Sequence, residues 1–326
     1  MVILATREKE LFPIRDANVR FDVNKNKDFS VMVARSNWDE RFDYGRFIYI
    51  NNTEYGGIIG SILTSTELDY VEIKGMTWRG RMTKKIILPP DNADYKTVSG
   101  ELHEAMRELI EPEFGGLFKV VEKDTGVSVN FQFDRFCTLY DGIVKMLKSV
   151  GYKLKIFYQK VHGVDGNVYV EAVPIVDYSR KVRFSQDNKI NFTMESKRDG
   201  VNHLIVTGKG ELQDRNIFHL YLQKDGTYGV IPYYTGLDEI AEVYENTSTE
   251  ESELQSQAEK RFKEVGNKQT FDMDIKQIRT NVEIEDIVGG RDYLTKMYAA
   301  EPISNIVYEI INGVETKTYS LEGDES

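Results

Sequence analysis

Histidine is the residue type most able to do chemistry near neutral pH, as a general acid, a general base or a metal ligand. The chain contains four: His103, His162, His203 and His219. No two are four residues apart and there is no His-Glu-x-x-His pattern, so the spacing of a helical zinc site is absent. His203 and His219 fall in separate predicted strands and could meet in space. We interpret them as ordinary strand histidines.

Carboxylates near the C-terminal end form a second group that could do chemistry. They are Asp272, Asp274, Glu283, Glu285 and Asp286. Paired carboxylates can bind a metal ion or hydrolyse a glycosidic bond. The members of 272/274 and of 283/285 are two residues apart, which places each pair on one face of a strand, opposite its apolar neighbours. We therefore interpret these carboxylates as a solvated sheet face.

Signatures of a catalytic nucleophile or a phosphate-binding loop are absent from the sequence. The pairs Gly56-Gly57, Gly115-Gly116 and Gly289-Gly290 belong to no nucleotide-binding pattern, and we interpret them as turns. Cys137 is the single cysteine, which excludes an intramolecular disulfide and a Cys-rich zinc site, and we expect it to be a small buried side chain. The sequence thus predicts no catalytic residue, no cofactor and no metal ion.

A short basic segment could contact nucleic acid. It consists of Trp78-Arg79-Gly80-Arg81 followed by Lys84-Lys85. It is isolated in a chain whose 42 Lys and Arg against 53 Asp and Glu give a formal charge of −11. We therefore interpret it as a strand end with solvated side chains and expect no sequence-specific binding of nucleic acid.

Aromatic residues are abundant, with 19 Tyr, 16 Phe, Trp38 and Trp78. They can bind glycans but more often fill cores and subunit interfaces.

The elements that position these groups belong to a folded chain of 326 residues, of which 40% are hydrophobic and 29% charged. This length predicts two to three domains. No apolar run approaches the roughly 18–20 residues that span a bilayer. Charged residues at 7–10 occupy the place of a signal peptide's apolar core. We expect neither a membrane span nor export by a signal peptide.

Hydrophobic periodicity divides the chain into parts. Residues 1–88 predict an N-terminal β domain, because short strands rich in β-branched and aromatic residues alternate with close turn signals. After Pro89-Pro90 the period changes from 2 to 3.6, and residues 89–176 predict a module in which helix–strand–strand occurs twice, an αββαββ order over 97–173. Within it, Ser99 is expected to cap the first helix and Thr138, with Asp141, the second. A hairpin is expected around Asp124-Thr125-Gly126. Residues 177–236 with 268–326 return to the strand pattern and predict a second β domain.

Residues 237–267 interrupt the second β domain and predict a small helical insertion. In it, 237–245 is expected to form a helical turn, and Ser248 with Glu251 caps a surface helix. Further on, Asn312-Gly313 predicts a hairpin, since a type I′ turn needs positive φ at both central residues. The predicted fold class is α+β, mainly β, with two β-barrel-like tube domains, the αββαββ module and the helical insertion.

Three features together resemble siphophage tail-hub proteins, which are related in fold to the central hub of contractile-phage baseplates. The first is the segment 70–81, Tyr-Val-Glu-Ile-Lys-Gly-Met-Thr-Trp-Arg-Gly-Arg, which closes the N-terminal β domain. The second is the module at 97–173. The third is the C-terminal β region with residues 282–290 and the Asn312-Gly313 hairpin. The resemblance extends over nearly the whole chain.

The resemblance implies a structural component of a tail tip or baseplate hub, without catalytic residues or cofactors. It implies a homotrimer whose two β domains per chain form a ring of pseudo-sixfold symmetry, which closes or adapts the tail tube and lets DNA pass. The implied partners are a tail tube or distal tail protein and tail fibre or tape-measure proteins. The implied locations are the virion and, during assembly, the bacterial host cytoplasm. Some relatives continue into a peptidase, lysozyme or fibre extension, and we expect none here because a hairpin lies just before Ser326.

An acidic chain also suits a DNA conduit, since a negative wall repels phosphate and does not trap it. Two other functions stay open at this point. One is a tail-associated hydrolase of cell-wall peptide or glycan, with the carboxylates around 272–286 as its candidate groups. The other is a glycan-binding receptor module that uses exposed Tyr and Trp.

Overall fold

The computed structural model describes residues 2–5, 11–14, 16–160, 166–179, 183–184, 191–248, 251–274, 282–292 and 294–321. The chain forms two compact units. Residues 1–192 with 272–326 make the first unit, and residues 193–271 make the second unit. The fold class is α+β and mainly β, which confirms the class predicted from the sequence.

The elements follow in chain order. The N-terminal part contains β1 (Ile3–Ala5), β2 (Leu11–Pro13), β3 (Ala17–Asp22), β4 (Asp28–Ala34), β5 (Phe47–Tyr49), β6 (Gly56–Thr64), β7 (Tyr70–Thr77) and helix α1 (Trp78–Met82). Next come β8 (Thr97–Glu101), α2 (Leu102–Ile110), β9 (Phe118–Val120), β10 (Ser128–Gln132), α3 (Leu139–Lys148), β11 (Tyr152–Gln159), β12 (Asn167–Pro174), β13 (Arg183–Phe184) and β14 (Asn191–Lys197). Then follow β15 (His203–Thr207), β16 (Ile217–Leu222), β17 (Tyr228–Gly229), β18 (Ala241–Glu245), α4 (Glu251–Val265) and β19 (Lys268–Asp274). The chain closes with β20 (Ile287–Arg291), β21 (Tyr298–Ile311) and β22 (Val314–Leu321).

A curled sheet of eleven strands dominates the described part of the first unit. Its order is β13-β20-β21-β3-β4-β7-β6-β5-β1-β2, and β22 pairs with β21 outside this path. The antiparallel pair β21–β3 joins the two ends of the chain, with Val307 opposite Asp22 and Ile310 opposite Val19. The N-terminal and C-terminal strands therefore belong to one continuous sheet.

The hairpin predicted at Asn312-Gly313 is confirmed. Asn312 and Gly313 have φ values of 51° and 78°, and Ile311 lies opposite Val314 in the β21–β22 pair. Because both central residues have positive φ, the turn matches the right-handed twist of the two strands. This local signal fixes the register of the C-terminal strands.

The helix–strand–strand order predicted twice for 97–173 is present, preceded by β8. The predicted hairpin between β9 and β10, around residues 124–126, was wrong. β9 runs parallel to β12, and β10 runs antiparallel to β8. The turn itself exists, since the Asp124 carboxylate accepts a hydrogen bond from Gly126 N at 2.7 Å. Such a turn reverses the chain but does not determine which strand becomes the partner.

Helix capping shows one confirmed prediction and one error. The Thr138 hydroxyl accepts a hydrogen bond from Asp141 N at 3.0 Å and caps α3, as predicted. Ser99, predicted to cap α2, instead lies within β8 opposite Asn130. The cap of α2 is Glu101, whose carboxylate accepts from the backbone N–H of residue 104 at 3.0 Å.

One hydrophobic core connects the αββαββ module with the N-terminal strands. It includes Met106 of α2, Ile143 and Met146 of α3, Tyr49 of β5 and Trp78 of α1, all 0% exposed. Full burial of a large apolar side chain contributes roughly 1.5–3 kcal/mol. The predicted domains 1–88 and 89–176 thus share a core within the first compact unit.

The second unit is a four-stranded sheet of order β17-β16-β15-β18, covered on one face by α4. On α4, Leu254, Ala258 and Phe262 are at most 2% exposed and pack against Leu204 and Leu220 of the sheet. The prediction of a surface helix for 251–265 was therefore wrong. A narrow apolar stripe is sufficient when the sheet beneath it is small.

The helical turn predicted for 237–245 was also wrong. Residues 241–245 form β18, which runs parallel to β15 with Ala241 opposite His203. The sequence Ala-Glu-Val-Tyr-Glu alternates as an edge strand does. The strands of 203–222, which the sequence grouped with 268–326, belong to the same unit as α4, because they share its core.

Candidate functional site

Arg79 lies at the centre of a buried polar cluster in the first unit. It is 4% exposed on α1. Its Nε donates to Glu54 Oε2 at 3.0 Å, Nη1 to Tyr140 Oη at 3.2 Å, and Nη2 to Leu154 O at 3.0 Å. Burial alone would lower the pKa of Arg79, but the Glu54 carboxylate and the Tyr140 hydroxyl outweigh this and hold it above its ordinary value. Arg79 therefore ties the turn before β6 to α3 and β11.

The interpretation of 78–85 as a strand end with solvated basic side chains was wrong for Arg79. Residues 78–82 are helical, and Arg79 is buried in an ion pair, whereas Arg81 and Lys84 are exposed. The local sequence could not distinguish them, because the partner Glu54 is 25 residues away.

A second buried ion pair connects β11 with the segment before β20. The Nζ of Lys153, 4% exposed, lies 2.7 Å from Asp286 Oδ1 and 3.0 Å from Glu283 Oε2. Asp286 is 1% exposed and also accepts from the backbone N–H of Val176 and of Glu283, each at 2.9 Å. Burial would raise the pKa of Glu283, but the ammonium of Lys153 outweighs this and holds it below its ordinary value.

The carboxylates of residues 283, 285 and 286 do not form the solvated sheet face that the alternation predicted. Residues 282–286 make a turn before β20, in which Asp286 N donates to Glu283 O at 3.1 Å and Glu285 has a φ of 73°. Glu285 lies 2.7 Å from the Nζ of Lys148 on α3. Glu283, Glu285 and Asp286 thus bind lysines of the module. The side chains of Asp272 and Asp274 lie outside the described part of the chain.

The two strand histidines do meet, in the second unit. His203 Nε2 lies 2.7 Å from His219 Nδ1, and His203 Nδ1 lies 2.6 Å from Glu239 Oε1. His203 also stacks on Tyr221 at 4.2 Å between ring centres. The carboxylate and the two imidazoles form a hydrogen-bonded chain whose two ends, Glu239 and His219, are exposed, whereas His203 between them is buried. Sequence reasoning missed Glu239, because only the β15–β18 pairing brings it to His203.

The remaining candidate residues have structural environments. His103 is 1% exposed; its Nδ1 bonds the carbonyl of Lys123, and its Nε2 accepts from Ala172 N at 2.8 Å. Cys137, expected to be buried, is partly buried against the core, and burial raises the pKa of its thiol. His162 lies outside the described residues.

The structure also shows the environments of the two tryptophans and of the first glycine pair. Trp78 is fully buried, and Trp38 is 37% exposed beside Phe42. Gly56-Gly57 begins strand β6 and is not a turn. A Cβ on Gly57 would lie 2.1 Å from the carbonyl oxygen of Met76, so the close approach of β6 to β7 requires glycine there.

Within the described residues, no group of three or more His, Cys, Asp or Glu is placed to hold a metal ion. No helix among them is long and apolar enough to cross a membrane. An open groove of about 750 Å³ runs beside β3 and β4, with the carboxylates of Asp16, Asp69 and Glu315 among its lining residues. The described lining includes no His, Ser, Cys or Lys.

Comparison with solved structures finds phage tail proteins. The 43 kDa tail protein of prophage MuSo2 from Shewanella oneidensis is similar with a TM-score of 0.54 and 10% identity, over 98% of this chain and 98% of that chain. The tail protein from Neisseria meningitidis MC58 is similar with a TM-score of 0.51 and 14% identity, over 98% of this chain and 96% of that chain. The prophage tail protein gp18 from Listeria monocytogenes EGD-e is similar with a TM-score of 0.51 and 10% identity, over 100% of this chain and 95% of that chain.

At such low identity the likeness shows the fold. The chain has the fold of these phage tail proteins, which confirms at that level the resemblance read from the sequence. No protein-family model matches the chain, and no curated protein matches it significantly in sequence.

Proposed function

We propose that this chain is a structural subunit of a phage or prophage-derived tail, in its tail tip or baseplate hub. The observation that carries the proposal is the likeness of fold, over 98–100% of the chain, to three phage tail proteins. One fold can serve many functions, so the fold alone does not identify the role of the chain. The ion pairs and hydrogen bonds of the buried polar groups give the proposal a second support.

The buried polar groups are arranged for holding elements together. Arg79 uses its donors on an acid, a hydroxyl and a backbone carbonyl, and Asp286 accepts from a lysine and two backbone N–H groups. A catalytic acid or base needs an accessible site for the proton it transfers. The pairing of these groups therefore favours a structural role. The carboxylates of residues 283, 285 and 286 bind lysines, which favours the structural role over that of a hydrolase.

The assembly that we propose is a homotrimeric ring that closes or adapts the tail tube. Among the described strands, β2 and β13 stand at the two ends of the large sheet. Strands at a sheet end carry unpaired backbone groups that can pair or pack with a neighbouring subunit. The proposed further partners are a tail tube or distal tail protein and tail fibre or tape-measure proteins, in the virion and earlier in the host cytoplasm.

DNA passage through the ring is the finer part of the proposal. With a formal charge of −11 per chain, a lumen lined by carboxylates would repel phosphate and let DNA slide. The electrostatic potential of the assembled channel, calculated from an electron cryomicroscopy map, tests this point. A lumen lined mainly by Lys and Arg would contradict it.

The main experiment removes the coding sequence from the phage or prophage that carries it and supplies an epitope-tagged copy. We expect tails to be absent or defective without the chain, and gold-labelled antibody to mark one end of the tail with it. Normal tails without the chain, or tails that never carry the tag, would contradict the proposal.

The assay for the hydrolase alternative uses purified peptidoglycan. We expect no release of peptide or sugar by the purified chain. Turnover that disappears in a Glu283→Gln variant would replace the structural proposal by an enzymatic one.

A further inference from the structure

Two histidines of the second unit lie on one face of its sheet. In the β15–β16 pair, His203 is opposite Tyr221, and Ile205 is opposite His219. Residues two apart on a strand point to the same face, so the two histidines are diagonal neighbours across the pair. Helix α4 packs against the other face of this sheet. The pair thus consists of a buried His203 and an exposed His219 on the face opposite α4.

One nitrogen of each imidazole faces the other ring. His203 Nε2 lies 2.7 Å from His219 Nδ1, and the ring centres are 5.0 Å apart. The second nitrogen of His203, Nδ1, lies 2.6 Å from Glu239 Oε1. Because an ionised carboxylate can only accept a hydrogen bond, the pattern assigns a proton to His203 Nδ1. In the neutral ring, the lone pair of His203 Nε2 therefore faces His219.

Glu239 lies in a segment that is fixed on both sides. The side chain of Asn202 donates to the carbonyl of Asp238 at 2.6 Å and accepts from Ile240 N at 2.9 Å. Metal-binding histidines almost always donate their second ring nitrogen to a carboxylate, a carbonyl or water, which fixes the tautomer and the orientation of the ring. His203 has this arrangement, with a second imidazole nitrogen in front of its free lone pair.

We propose that His203 Nε2 and His219 Nδ1 together bind one divalent transition-metal ion of the Zn²⁺ class. Imidazole nitrogen is a preferred ligand of Zn²⁺, Cu²⁺ and Ni²⁺. Zn–N bonds of about 2.0–2.1 Å in a tetrahedral site place two nitrogens about 3.3 Å apart. The rings need to separate by about 0.6 Å from their 2.7 Å contact, which a turn of the exposed His219 side chain supplies.

The ion takes the place of the hydrogen bond between the two rings. As the rings stand, His219 Nδ1 donates its proton to His203 Nε2. Coordination needs a lone pair on both nitrogens, so this proton moves through water to Nε2 of the His219 ring, which stays neutral. His203 keeps its Nδ1 proton and its hydrogen bond to Glu239. Glu239 is therefore a positioning residue and not a metal ligand.

Two imidazoles are fewer protein ligands than the three or four of catalytic and structural zinc sites. Water completes the coordination, so we expect binding weaker than at those sites. The bound ion joins β15 to β16 and has open positions toward solvent. The inference is independent of the proposed function, because it concerns the second unit alone.

The test is isothermal titration calorimetry of the untagged full chain with ZnCl₂. We expect one Zn²⁺ ion per chain, and no binding in a parallel titration with MgCl₂, because Mg²⁺ prefers oxygen ligands. His219→Gln should abolish Zn²⁺ binding. Because His219 is exposed, this variant should stay folded, which thermal unfolding checks. The matched control is His162→Gln, which should bind Zn²⁺ as the unchanged chain does.

NMR signals of the histidine rings locate the ion. Zn²⁺ should shift the ring signals of His203 and His219. The ring signals of His103 should stay in place, because both of its nitrogens are hydrogen-bonded, to Lys123 O and Ala172 N.

A second pair of variants tests the carboxylate. Glu239→Ala should weaken Zn²⁺ binding about 10–100-fold, because the ring of His203 loses the group that orients it. Glu245→Ala removes another exposed carboxylate, on β18, and should leave the affinity unchanged.

Two results overturn the inference. One is a folded chain that binds no Zn²⁺, and the other is binding that persists in His219→Gln or disappears in His162→Gln. Equal affinities of Glu239→Ala and Glu245→Ala would reject the positioning role of Glu239.

Discussion

Replacing Arg79 by methionine keeps most of the apolar volume of the side chain and removes every hydrogen bond of the guanidinium. The change leaves the Glu54 carboxylate without its cation and the Leu154 carbonyl without the Nη2 donor, at a site where Arg79 is only 4% exposed. Removing one partner of a buried ion pair costs about 3–5 kcal/mol. Domains are stable by only about 5–15 kcal/mol, so the Arg79→Met variant should fold but have little reserve.

The assay can observe the first unit by itself. Both tryptophans, Trp38 and Trp78, belong to that unit, so tryptophan emission during a urea titration reports its unfolding. We expect the midpoint for Arg79→Met to fall strongly with little change in slope. Arg81→Met is the matched control on the same helix; because Arg81 is exposed, its effect should stay within about 0.5 kcal/mol.

A double variant separates the ion pair from packing. Adding Glu54→Gln removes the stranded charge, so Arg79→Met/Glu54→Gln should be about 1–3 kcal/mol more stable than Arg79→Met alone. A cost below about 1 kcal/mol for Arg79→Met would refute the assignment of a buried ion pair, because breaking such a pair should cost about 3–5 kcal/mol. A double variant less stable than the single one would show that packing, and not charge, dominates.

Three further predictions concern other parts of the chain. The pKa of Glu283 lies below its ordinary value of 4.5 in the folded chain. The Glu283 carboxylate therefore stabilises the fold fully above pH 4.5, and this stabilisation is lost as the pH falls through the lower folded pKa. Glu283→Gln should make the melting temperature fall less steeply with acidification, and an unchanged fall would contradict the Lys153 pairing. Phe136 has a φ of 59°, which asparagine tolerates better than phenylalanine does, so Phe136→Asn should raise stability by about 1 kcal/mol; a lower melting temperature would contradict this account of backbone strain. Phe262→Ala should cost about 3–5 kcal/mol of stability and speed amide hydrogen exchange in β15 and β16. The control Ile217→Ala, at a position that is 50% exposed, should do neither. Equal effects of the two variants would refute the assignment of α4 to the core.

The sequence predicted best where the determinants are local. The cap of α3 needs only Thr138 and Asp141, three residues apart, and the C-terminal hairpin needs only Asn312-Gly313. The strand pattern of residues 29–33, within the predicted N-terminal β domain, likewise appears in the structure, with Phe29, Val31 and Val33 buried in alternation. In each case the interacting groups are neighbours along the chain, so their types and spacing carry the information.

Prediction failed where a distant partner decides the outcome. β18 forms because β15, about 40 residues earlier, offers a free edge, and the Ala-Glu-Val-Tyr-Glu segment alone does not distinguish a helical turn from an edge strand. The buried Arg79 and Lys153 depend on acids at positions 54 and 286. The Glu239–His203–His219 chain likewise needs three segments that only the sheet brings together.

Arg79 and Lys153, the two buried cations, also explain how strand β11 is held between two parts of the first unit. The carbonyl of Leu154 on β11 accepts from Arg79, and the adjacent Lys153 binds Asp286 before β20. Because desolvating charges offsets most of their attraction, such pairs add little net stability compared with apolar side chains of similar size. Their value is specificity: an apolar core could accept β11 slipped along its length, whereas a slipped strand would leave a charge buried without a partner. We therefore expect that replacing both clusters by well-packed apolar residues would preserve the stability of the first unit and loosen its arrangement, visible as faster hydrogen exchange in β11 with an unchanged urea midpoint.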